Sequence, residues 1–323
     1  MNSAPVLKVS NLGKVFRAGG MFRAIGKDKQ AVAEVSFDLH AGETLAIVGE
    51  SGSGKSTSAR LVMRLLSATS GQIFWDDTDV TSLSARALRP MRKHIQMVFQ
   101  DPFASLNPRM KIWQSIAEGL RVHQPGLSTG ARRERVAETM QLCGLDESGM
   151  DRYPHQFSGG QRQRIGIARA LIVEPKVLVL DEPVSALDVS VQAQILNLLK
   201  DIQKKRGLAY LFISHDLSVV HHIADRIAVM FGGRVVEHGD ADDVFSLPHH
   251  PYTQALLQAR PITHPDERVV SAVPMGADEG LAESGCAFKP RCTYAKEDCS
   301  SFDNRLGDGG YACLHPLNLS KHA

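Results

Sequence analysis

The chain has 323 residues, of which 43% are hydrophobic, and its formal net charge is +2. This length fits two domains, or one large domain with an appendage, and the hydrophobic content is enough for a substantial core. The nearly balanced charge gives no strong attraction to nucleic acid. No apolar run approaches the ~20 residues that span a bilayer, and the first residues, MNSAPVLKVS, lack the pattern of a signal peptide. We therefore expect a soluble, cytosolic protein.

The first part of the chain predicts antiparallel strands and then a phosphate-binding loop. Alternating segments within residues 6–47 have the period of half-buried strands, and a Gly-, Lys- and Arg-rich loop over about residues 17–30 reads as a solvated hairpin extension. The apolar run TLAIV, residues 44–48, predicts a strand, and SARLVMRLL, residues 58–66, predicts a helix. Between them, residues 49–57 read GESGSGKST and match G-x-x-x-x-G-K-[ST].

The spacing within this loop has a chemical reason. Glycines let the backbone curl, so that several N–H groups point at phosphate oxygens, and the following helix adds its positive N-terminal end. Lys55 can then reach the β- and γ-phosphates, and Ser56 can hold Mg²⁺. A chance Gly/Ser-rich loop is disfavoured because strand, loop and helix occur in the required order. The residues predicted to bind the nucleotide here are Gly49, Gly52, Gly54, Lys55, Ser56 and Thr57.

A second candidate anion site follows in the middle of the chain. Residues 71–100 resume strand-like patterns, and residues 101–156 are mainly helical, with Pro and Gly breaks. Residues 157–171, FSGGQRQRIGIARAL, predict a helix that begins after Ser158 and whose first amide groups are free to meet an anion. One nucleotide does not need two such helix starts from one chain, unless each chain lends its second one to a partner.

The run VLVLDE, residues 177–182, predicts a buried parallel strand that ends in two carboxylates. Asp181 would lie at the carboxyl edge of the sheet, where it can bind Mg²⁺ directly or through water, and Glu182 is placed to polarise an attacking water. Alone, the run would also fit a strand that ends in a solvated acidic turn. Residues 161–225 alternate helix and strand, which implies a parallel sheet, and residues 226–239 predict a hairpin.

Four of the five cysteines lie near the C-terminal end, with the spacing C-x5-C-x6-C-x13-C. Structural zinc sites usually begin with a closer pair, and a cytosolic chain is not expected to form disulfides. Four thiolates in a loop-rich segment suit a [4Fe–4S] cluster. Zinc, with His315 as a further ligand, and four reduced thiols remain open alternatives. The candidate ligands are Cys286, Cys292, Cys299 and Cys313, whereas Cys143 is predicted to be a packed small residue.

Taken together and in order, these motifs resemble those of the nucleotide-binding subunits of ATP-binding cassette (ABC) transporters. GESGSGKST and VLVLDE resemble the Walker A and Walker B motifs, FSGGQ resembles the signature motif, and SALD, residues 185–188, resembles the D-loop. Gln100 in VFQDP resembles the glutamine of the Q-loop, and His215 in FISHD resembles the switch histidine. The resemblance covers roughly residues 5–245 and shows no departure at the catalytic positions.

The resemblance implies an α/β fold. The expected architecture is a P-loop NTPase cassette with an antiparallel β subdomain, a RecA-like parallel-sheet core and a helical subdomain, followed by a Cys-containing C-terminal extension. The expected domains are the cassette over residues 1–245, with its helical subdomain at about 101–160, and the extension over residues 246–323.

The resemblance also implies roles in ATP hydrolysis. Two cassettes would face each other head to tail, with each ATP between the phosphate loop of one and the signature serine of the other. Glu182 would act as general base, His215 would contact the γ-phosphate, and Gln100 would sense the nucleotide for the membrane subunits. Phe16 would stack on adenine, with Phe22 as a competing candidate. The further implied nucleotide contacts are Ser158, Gly159, Gly160, Gln161, Asp181 and Asp188, and the implied Mg²⁺ ligands are Ser56, Gln100 and Asp181.

The C-terminal part indicates the branch of the family. HHPYTQALL, residues 249–257, and GCAFKPRC, residues 285–292, resemble the extension of the oligopeptide/dipeptide importer ATPases, a branch that also serves nickel and glutathione. The insertion GGMFRAIGKDKQAV, residues 19–32, is more similar to the F member of the paired ATPases, which implies a heterodimer. The implied partners are a second ATP-binding subunit, two transmembrane permease subunits and, indirectly, an extracytoplasmic substrate-binding protein, with this chain at the cytoplasmic face of the membrane.

A non-transport ABC ATPase that acts on ribosomes or DNA is disfavoured. Such proteins usually carry tandem cassettes or a long coiled-coil insertion, and this sequence has neither.

Overall fold

The computed structural model describes residues 4–17, 28–101, 104–259, 282 and 284–318. Phe22 and residues 19–27 of the insertion lie outside these ranges. In chain order the strands are β1 (Leu7–Phe16), β2 (Lys29–Leu39), β3 (Thr44–Val48), β4 (Ser70–Trp75), β5 (Thr78–Asp79), β6 (Ile95–Val98), β7 (Val177–Asp181), β8 (Ala209–Ser214), β9 (Arg226–Phe231) and β10 (Arg234–Asp240).

The first sheet is antiparallel and has the order β2-β1-β4-β5 within the described ranges. Its central strand β1 buries Leu7 and Val9 at a spacing of two and then Leu12 at a spacing of three. The change of spacing has a cause, because the register between β1 and β2 shifts between Val9 and Leu12, where Asn11 has a φ of 49°. The bulge keeps all three side chains on the buried face.

The second sheet has the order β10-β9-β3-β8-β7-β6 in the part of the chain that the structure describes. The strands from β9 to β6 run parallel to one another, and β10 pairs antiparallel with β9 across Gly232 and Gly233, as the sequence predicts. Every residue of β3, β7 and β8 is buried, which explains their unbroken apolar runs. Because β3 and β7 both run parallel to β8, which lies between them, their carboxyl ends reach the same edge of the sheet.

Helices cover this sheet and form a second group beside it. They are α1 (Lys55–Val62), α2 (Ala85–Met91), α3 (Ile112–Ile116), α4 (Glu118–His123), α5 (Thr129–Leu142), α6 (Gly159–Leu171), α7 (Val189–Arg206), α8 (Leu217–Ile223), α9 (Ala241–Ser246) and α10 (Pro251–Gln258). Helices α3, α5 and α6 share one apolar core, to which Ile116, Met140 and Ile165 contribute. Cys143 is fully buried in the same core, as predicted.

The helix predicted at residues 58–66 is wrong in its bounds, since α1 begins at Lys55 and ends at Val62. Its start is set by Gly54, the last residue of the phosphate-binding loop. After its end, Arg64 has a φ of 52°, outside the helical region, and its guanidinium donates to the carbonyl oxygens of Val80 and Leu83. The apolar period continues beyond the helix because Leu66 still packs against the core.

The C-terminal segment has little regular structure but is bound closely to the hairpin of β9 and β10. The backbone N–H of Ala312 donates to Val236 O at 2.8 Å, and that of His238 donates to Gly310 O at 2.7 Å. The segment thus adds a short antiparallel contact beside β10. Among the described residues, no helix combines the length and the apolar character that a membrane crossing requires.

A buried carboxylate holds the start of this extension. Glu237 is fully enclosed, and its oxygens accept hydrogen bonds from the backbone N–H groups of His249 at 2.7 Å and His250 at 2.9 Å. A buried N–H group without an acceptor is costly. Removing the Glu237 carboxylate would take the acceptor away from both N–H groups.

We predict that Glu237→Ala lowers the free energy of unfolding by about 3 kcal/mol, since it leaves the buried N–H of His250 and the partly buried N–H of His249 unbonded. The expected shift in Tm is roughly −5 °C, measured by circular dichroism. Glu138→Ala is the control, because Glu138 is exposed and its ion pair with Arg135 is long at 4.0 Å. Equal Tm values for the two variants would contradict the assigned role of Glu237.

Candidate functional site

The phosphate-binding loop connects β3 to α1 and depends on two glycines. Gly49 has a φ of 148°, and a Cβ there would lie 2.2 Å from the backbone oxygen of Met230. Gly54 has a φ of 106°, and a Cβ there would lie 2.5 Å from the backbone oxygen of Ala31. Both positions exclude any side chain, so the loop can form in this place only with glycine.

Lys55 holds the loop from inside. Its ammonium donates to the backbone oxygens of Gly49 at 2.7 Å and Glu50 at 2.8 Å, and the residue is only 5% exposed. Burial lowers the pKa of Lys55, whereas the carboxylates of Glu182, Asp181 and Glu50 raise it. The positive charge is therefore stabilised by three acidic groups around it.

Ser56 and Asp181 form a pair suited to a divalent cation. The Ser56 hydroxyl donates to Asp181 Oδ1 at 2.9 Å, and burial raises the pKa of this carboxyl. Adjacent ligands of an octahedral Mg²⁺ lie about 2.9 Å apart when each metal–oxygen distance is about 2.1 Å. The hydroxyl and carboxylate oxygens therefore match the donor type and the spacing that Mg²⁺ requires.

Glu182, the residue after Asp181, contacts two further predicted residues, His215 and Gln100. Its Oε1 lies 3.1 Å from His215 Nδ1, and its Oε2 accepts a hydrogen bond from Gln100 Nε2 at 2.8 Å. Its φ of 47° is unusual for a residue other than glycine, and its N–H still donates to Ile213 O at 2.9 Å in β8. The amide of Gln100 is directed at Glu182, so its role as a Mg²⁺ ligand stays a prediction.

Most of these groups line one open cleft of about 1270 Å³, which exceeds the volume of common small-ligand sites, whereas Asp181 lies behind Ser56 and is not among the described lining residues. Phe16, at the end of β1, lies on its wall and is 43% exposed, with Lys14 Nζ 5.2 Å from its ring centroid. An exposed aromatic face at the wall of a cleft can stack on a planar base. Of the predicted residues, those lining the cleft are Phe16, Gly49, Gly52, Gly54, Lys55, Ser56, Thr57, Gln100, Glu182 and His215.

The second candidate anion site lies elsewhere. Ser158 caps α6: its N–H donates to Gln161 Oε1 at 3.0 Å, and its hydroxyl accepts from Gln161 N at 3.3 Å. Gly160 is required because a Cβ there would lie 2.6 Å from Val191 Cγ1 of α7. The described residues that line the cleft do not include any of Ser158–Gln161. They also do not include Asp188, which precedes α7. The structure does not bring these predicted contacts to the phosphate-binding loop of the same chain.

The four cysteines of the extension converge although they are far apart in sequence. Cys286, Cys292, Cys299 and Cys313 line one small cavity of about 20 Å³, and none forms a disulfide. Burial raises the pKa of Cys286 and Cys292 and raises that of Cys313 to about 11, with the neighbouring thiols adding to the effect. Four thiols around one cavity fit a four-thiolate ligand set.

A smaller group shares one of these thiols. One ligand atom from each of Asp298, Cys299 and His315 lies within 4.8 Å of the others. His315 Nε2 is 2.8 Å from Asp298 Oδ1, so the imidazole already has a carboxylate neighbour. These three residues offer ligand types that zinc accepts, so zinc remains an alternative occupant of the cysteine segment.

Sequence reasoning missed one set of contacts to the phosphate-binding loop. Glu50 forms a double hydrogen bond with Arg291, at 2.6 and 2.9 Å, and its N–H donates to the hydroxyl of Tyr252 at 2.9 Å. Arg291 is 241 residues away in sequence and belongs to the cysteine segment. No local pattern marks either residue, because the contact exists only in the folded chain.

Comparison of the chain with known proteins identifies its family. Residues 32–185 match the model "ABC transporter", and residues 236–299 match "Oligopeptide/dipeptide transporter, C-terminal region". The chain is 47% identical over 327 residues to the oligopeptide transport ATP-binding protein OppF of Haemophilus influenzae, covering 98% of each chain. It is 50% identical over 278 residues to OppF of Salmonella typhimurium, covering 85% of this chain and 83% of the relative.

Solved structures agree with this match. The dimeric ATP-binding cassette MJ0796, in a post-hydrolysis state bound to ADP and Pi, is similar with a TM-score of 0.65 and 30% identity. That alignment covers 73% of this chain and 98% of the cassette. CbiO1 of Clostridium perfringens, part of the ABC transporter complex cbiONQ, has a TM-score of 0.66 and 31% identity, covering 76% of this chain and 92% of its own.

We predict that alkylation of Cys313 in the reduced, metal-free protein speeds up about tenfold per pH unit between pH 7 and 10. The reason is that its pKa is about 11 and only the thiolate reacts. The measurement is iodoacetamide labelling followed by mass spectrometry. Cys143, whose pKa is about 12 and which is fully buried, should stay unlabelled until the protein unfolds. Fast labelling of Cys313 at pH 7 would show that it is not buried as described.

Proposed function

The chain belongs to the family of ABC transporter ATP-binding proteins, and we propose that it is the ATP-hydrolysing subunit of an importer that takes up peptides across the cytoplasmic membrane. The observation that carries this proposal is the cleft in which the phosphate-binding loop and Glu182 meet, with Asp181 bonded to Ser56 at its wall. The peptide cargo is supported by relatives named for oligopeptide transport and peptide import, which match almost the whole chain. These names favour peptides over the nickel and glutathione cargoes of the same branch.

In the proposed reaction, the phosphate-binding loop and Lys55 hold the phosphates of ATP, and Phe16 stacks on the adenine. Ser56 and Asp181 would hold Mg²⁺, which neutralises charge on the β- and γ-phosphate oxygens. Glu182 orients a water molecule and accepts its proton as the water oxygen attacks the γ-phosphorus and the bond to ADP breaks. His215 lies beside Glu182, where its imidazole can contact the γ-phosphate. Gln100, which donates to the same carboxylate, would sense the nucleotide and pass the change to the membrane subunits.

The proposed catalytic unit contains two ATP-binding subunits. Ser158, Gly159, Gly160, Gln161 and Asp188 do not line the cleft of their own chain, which supports a site completed by a partner. Two solved structures of one similar cassette, MJ0796, are described as dimeric. We propose a heterodimer, in which a second ATP-binding subunit presents its signature serine to Lys55 and receives Ser158 in its own cleft.

The wider assembly follows from the same proposal. Two permease subunits would hold the chain at the cytoplasmic face of the membrane, with an extracytoplasmic binding protein delivering the peptide to them. The proposed division is a cassette over residues 1–245, whose helical part at about 101–160 docks on the permeases, and an extension over residues 246–323.

For the extension we propose a structural [4Fe–4S] cluster held by its four cysteines. The proposal is supported by the four thiols that line one cavity and by the absence of disulfides among the described cysteines. The cluster would cross-link a segment that has few regular elements with which to build a core. Zinc bound with His315 is the competing occupant.

We predict that Glu182→Gln lowers ATP turnover at least ~100-fold, because it removes the proton acceptor and keeps the shape of the side chain. ATP should then hold this variant and the second ATP-binding subunit in a closed dimer. Size-exclusion chromatography and phosphate release, measured on the co-purified subunits with Mg²⁺, test both outcomes.

Two controls accompany this variant. Glu174→Gln is the matched change of a largely exposed glutamate at the opposite end of β7, and it should keep normal turnover. Lys55→Ala should lose tight ATP binding and with it the ATP-dependent dimer. Wild-type turnover by Glu182→Gln would refute the role given to this carboxylate.

For the cysteine site we predict about four iron and four sulfide per chain, with a broad absorption shoulder near ~400 nm, after anaerobic purification. Cys313→Ser should lose most of the iron, whereas Cys143→Ser, at the buried cysteine outside the cavity, should keep it. One zinc per chain without sulfide would assign the site to zinc. A metal-free protein whose four thiols all react would refute a metal site altogether.

A further inference from the structure

Glu50, the second residue of the phosphate-binding loop, is engaged at all three of its polar groups. Its carboxylate takes both hydrogen bonds from Arg291, its N–H donates to the Tyr252 hydroxyl, and its carbonyl oxygen accepts from Lys55. Two of these three contacts come from the C-terminal extension. The loop that would hold phosphate is therefore bonded to Tyr252 and Arg291, which both belong to the proposed extension.

The contact between Glu50 and Arg291 is well fixed. Isolated exposed ion pairs contribute little to stability, but here the side chains are only 28% and 14% exposed and the guanidinium binds both carboxylate oxygens. The Arg291 guanidinium also lies 5.5 Å from the ring centroid of Phe231 and 5.6 Å from that of Phe288. Two aromatic faces and two hydrogen bonds leave the side chain little freedom to leave Glu50.

The position of Arg291 is set by the cysteine segment. Arg291 ends a short 3₁₀ turn, Lys289–Arg291, that lies between Cys286 and Cys292. The turn is closed by hydrogen bonds from Lys289 N to Cys286 O at 2.9 Å and from Cys292 N to Lys289 O at 3.2 Å. Both flanking thiols face the cavity that the four cysteines share. Whatever holds the cysteines together also fixes the backbone that presents Arg291.

Tyr252 connects the same parts from a second direction. Its buried ring packs 5.4 Å from Phe288 and 4.6 Å from Phe231, measured between ring centroids, while its hydroxyl accepts the hydrogen bond from Glu50. The aromatic group thus joins α10, the hairpin of β9 and β10, and the cysteine segment behind the loop.

We propose that the extension is a positioning element of the nucleotide site: Arg291, fixed by the cysteine segment, holds Glu50 and thereby the phosphate-binding loop in its nucleotide-binding shape. Loss of this contact lowers nucleotide affinity without removing any group that touches the nucleotide. The inference rests on the proposed ATP binding, and it adds that the cysteine segment acts on the loop through Arg291.

The test measures the affinity of the full-length, anaerobically purified chain for MgADP by calorimetry. Arg291→Ala should raise the Kd roughly tenfold, since a charge-assisted double hydrogen bond is lost. Arg291→Lys, which keeps the charge but not the fork, should recover part of the affinity. The matched control is Arg305→Ala, because Arg305 lies in the same segment with a side chain that is 74% exposed and contacts Asp303.

A double-mutant cycle separates positioning from general destabilisation. If Arg291 acts through Glu50, Glu50→Ala and the variant with both changes should bind MgADP equally weakly. Additive losses, or wild-type affinity in Arg291→Ala, would overturn the inference. A wild-type chain that binds no MgADP would instead overturn the proposed function.

Discussion

The burial of two opposite charges, those of Lys55 and Asp181, is the constraint on which the rest of the site depends. Both residues are only 5% exposed, and a buried charge without compensation is strongly destabilising. The carbonyl oxygens of Gly49 and Glu50 satisfy the ammonium, and the Ser56 hydroxyl satisfies the carboxylate. The bond between Ser56 and Asp181 requires β3 and β7 to end at the same edge of the sheet, whereas the bonds of Lys55 require the curled shape of the loop.

This constraint also explains why the loop is open to phosphate. Lys55 donates to neutral carbonyl oxygens of its own loop, and a phosphate oxygen carrying negative charge is a stronger acceptor than either of them. Burial lowers the pKa of the same ammonium, and the carboxylates around it oppose that shift. A buried lysine whose described hydrogen bonds go to neutral acceptors is ready to exchange those bonds for an anion.

Much of the fold and of the site could be predicted, because the relevant signals are local. The GESGSGKST loop, the apolar strands and the capping at Ser158 depend on residues within a few positions of one another. The meeting of Gln100, Glu182 and His215 follows from the family motif order, and the structure brings them together. The end of α1 could not be predicted, since it depends on the bonds of Arg64 to distant carbonyls, and neither could the contact between Glu50 and Arg291. The period of the apolar residues predicts which side chains are buried. The ends of helices and long-range ion pairs depend instead on contacts that form only in the folded chain.

The backbone contact between the C-terminal segment and β10 has a further consequence. As the outermost strand next to β9, β10 would present unpaired N–H and C=O groups to any other strand. Residues 310–312 bond to Val236 and His238 and cover part of this edge. These bonds occupy backbone groups of β10 with which another strand could otherwise pair.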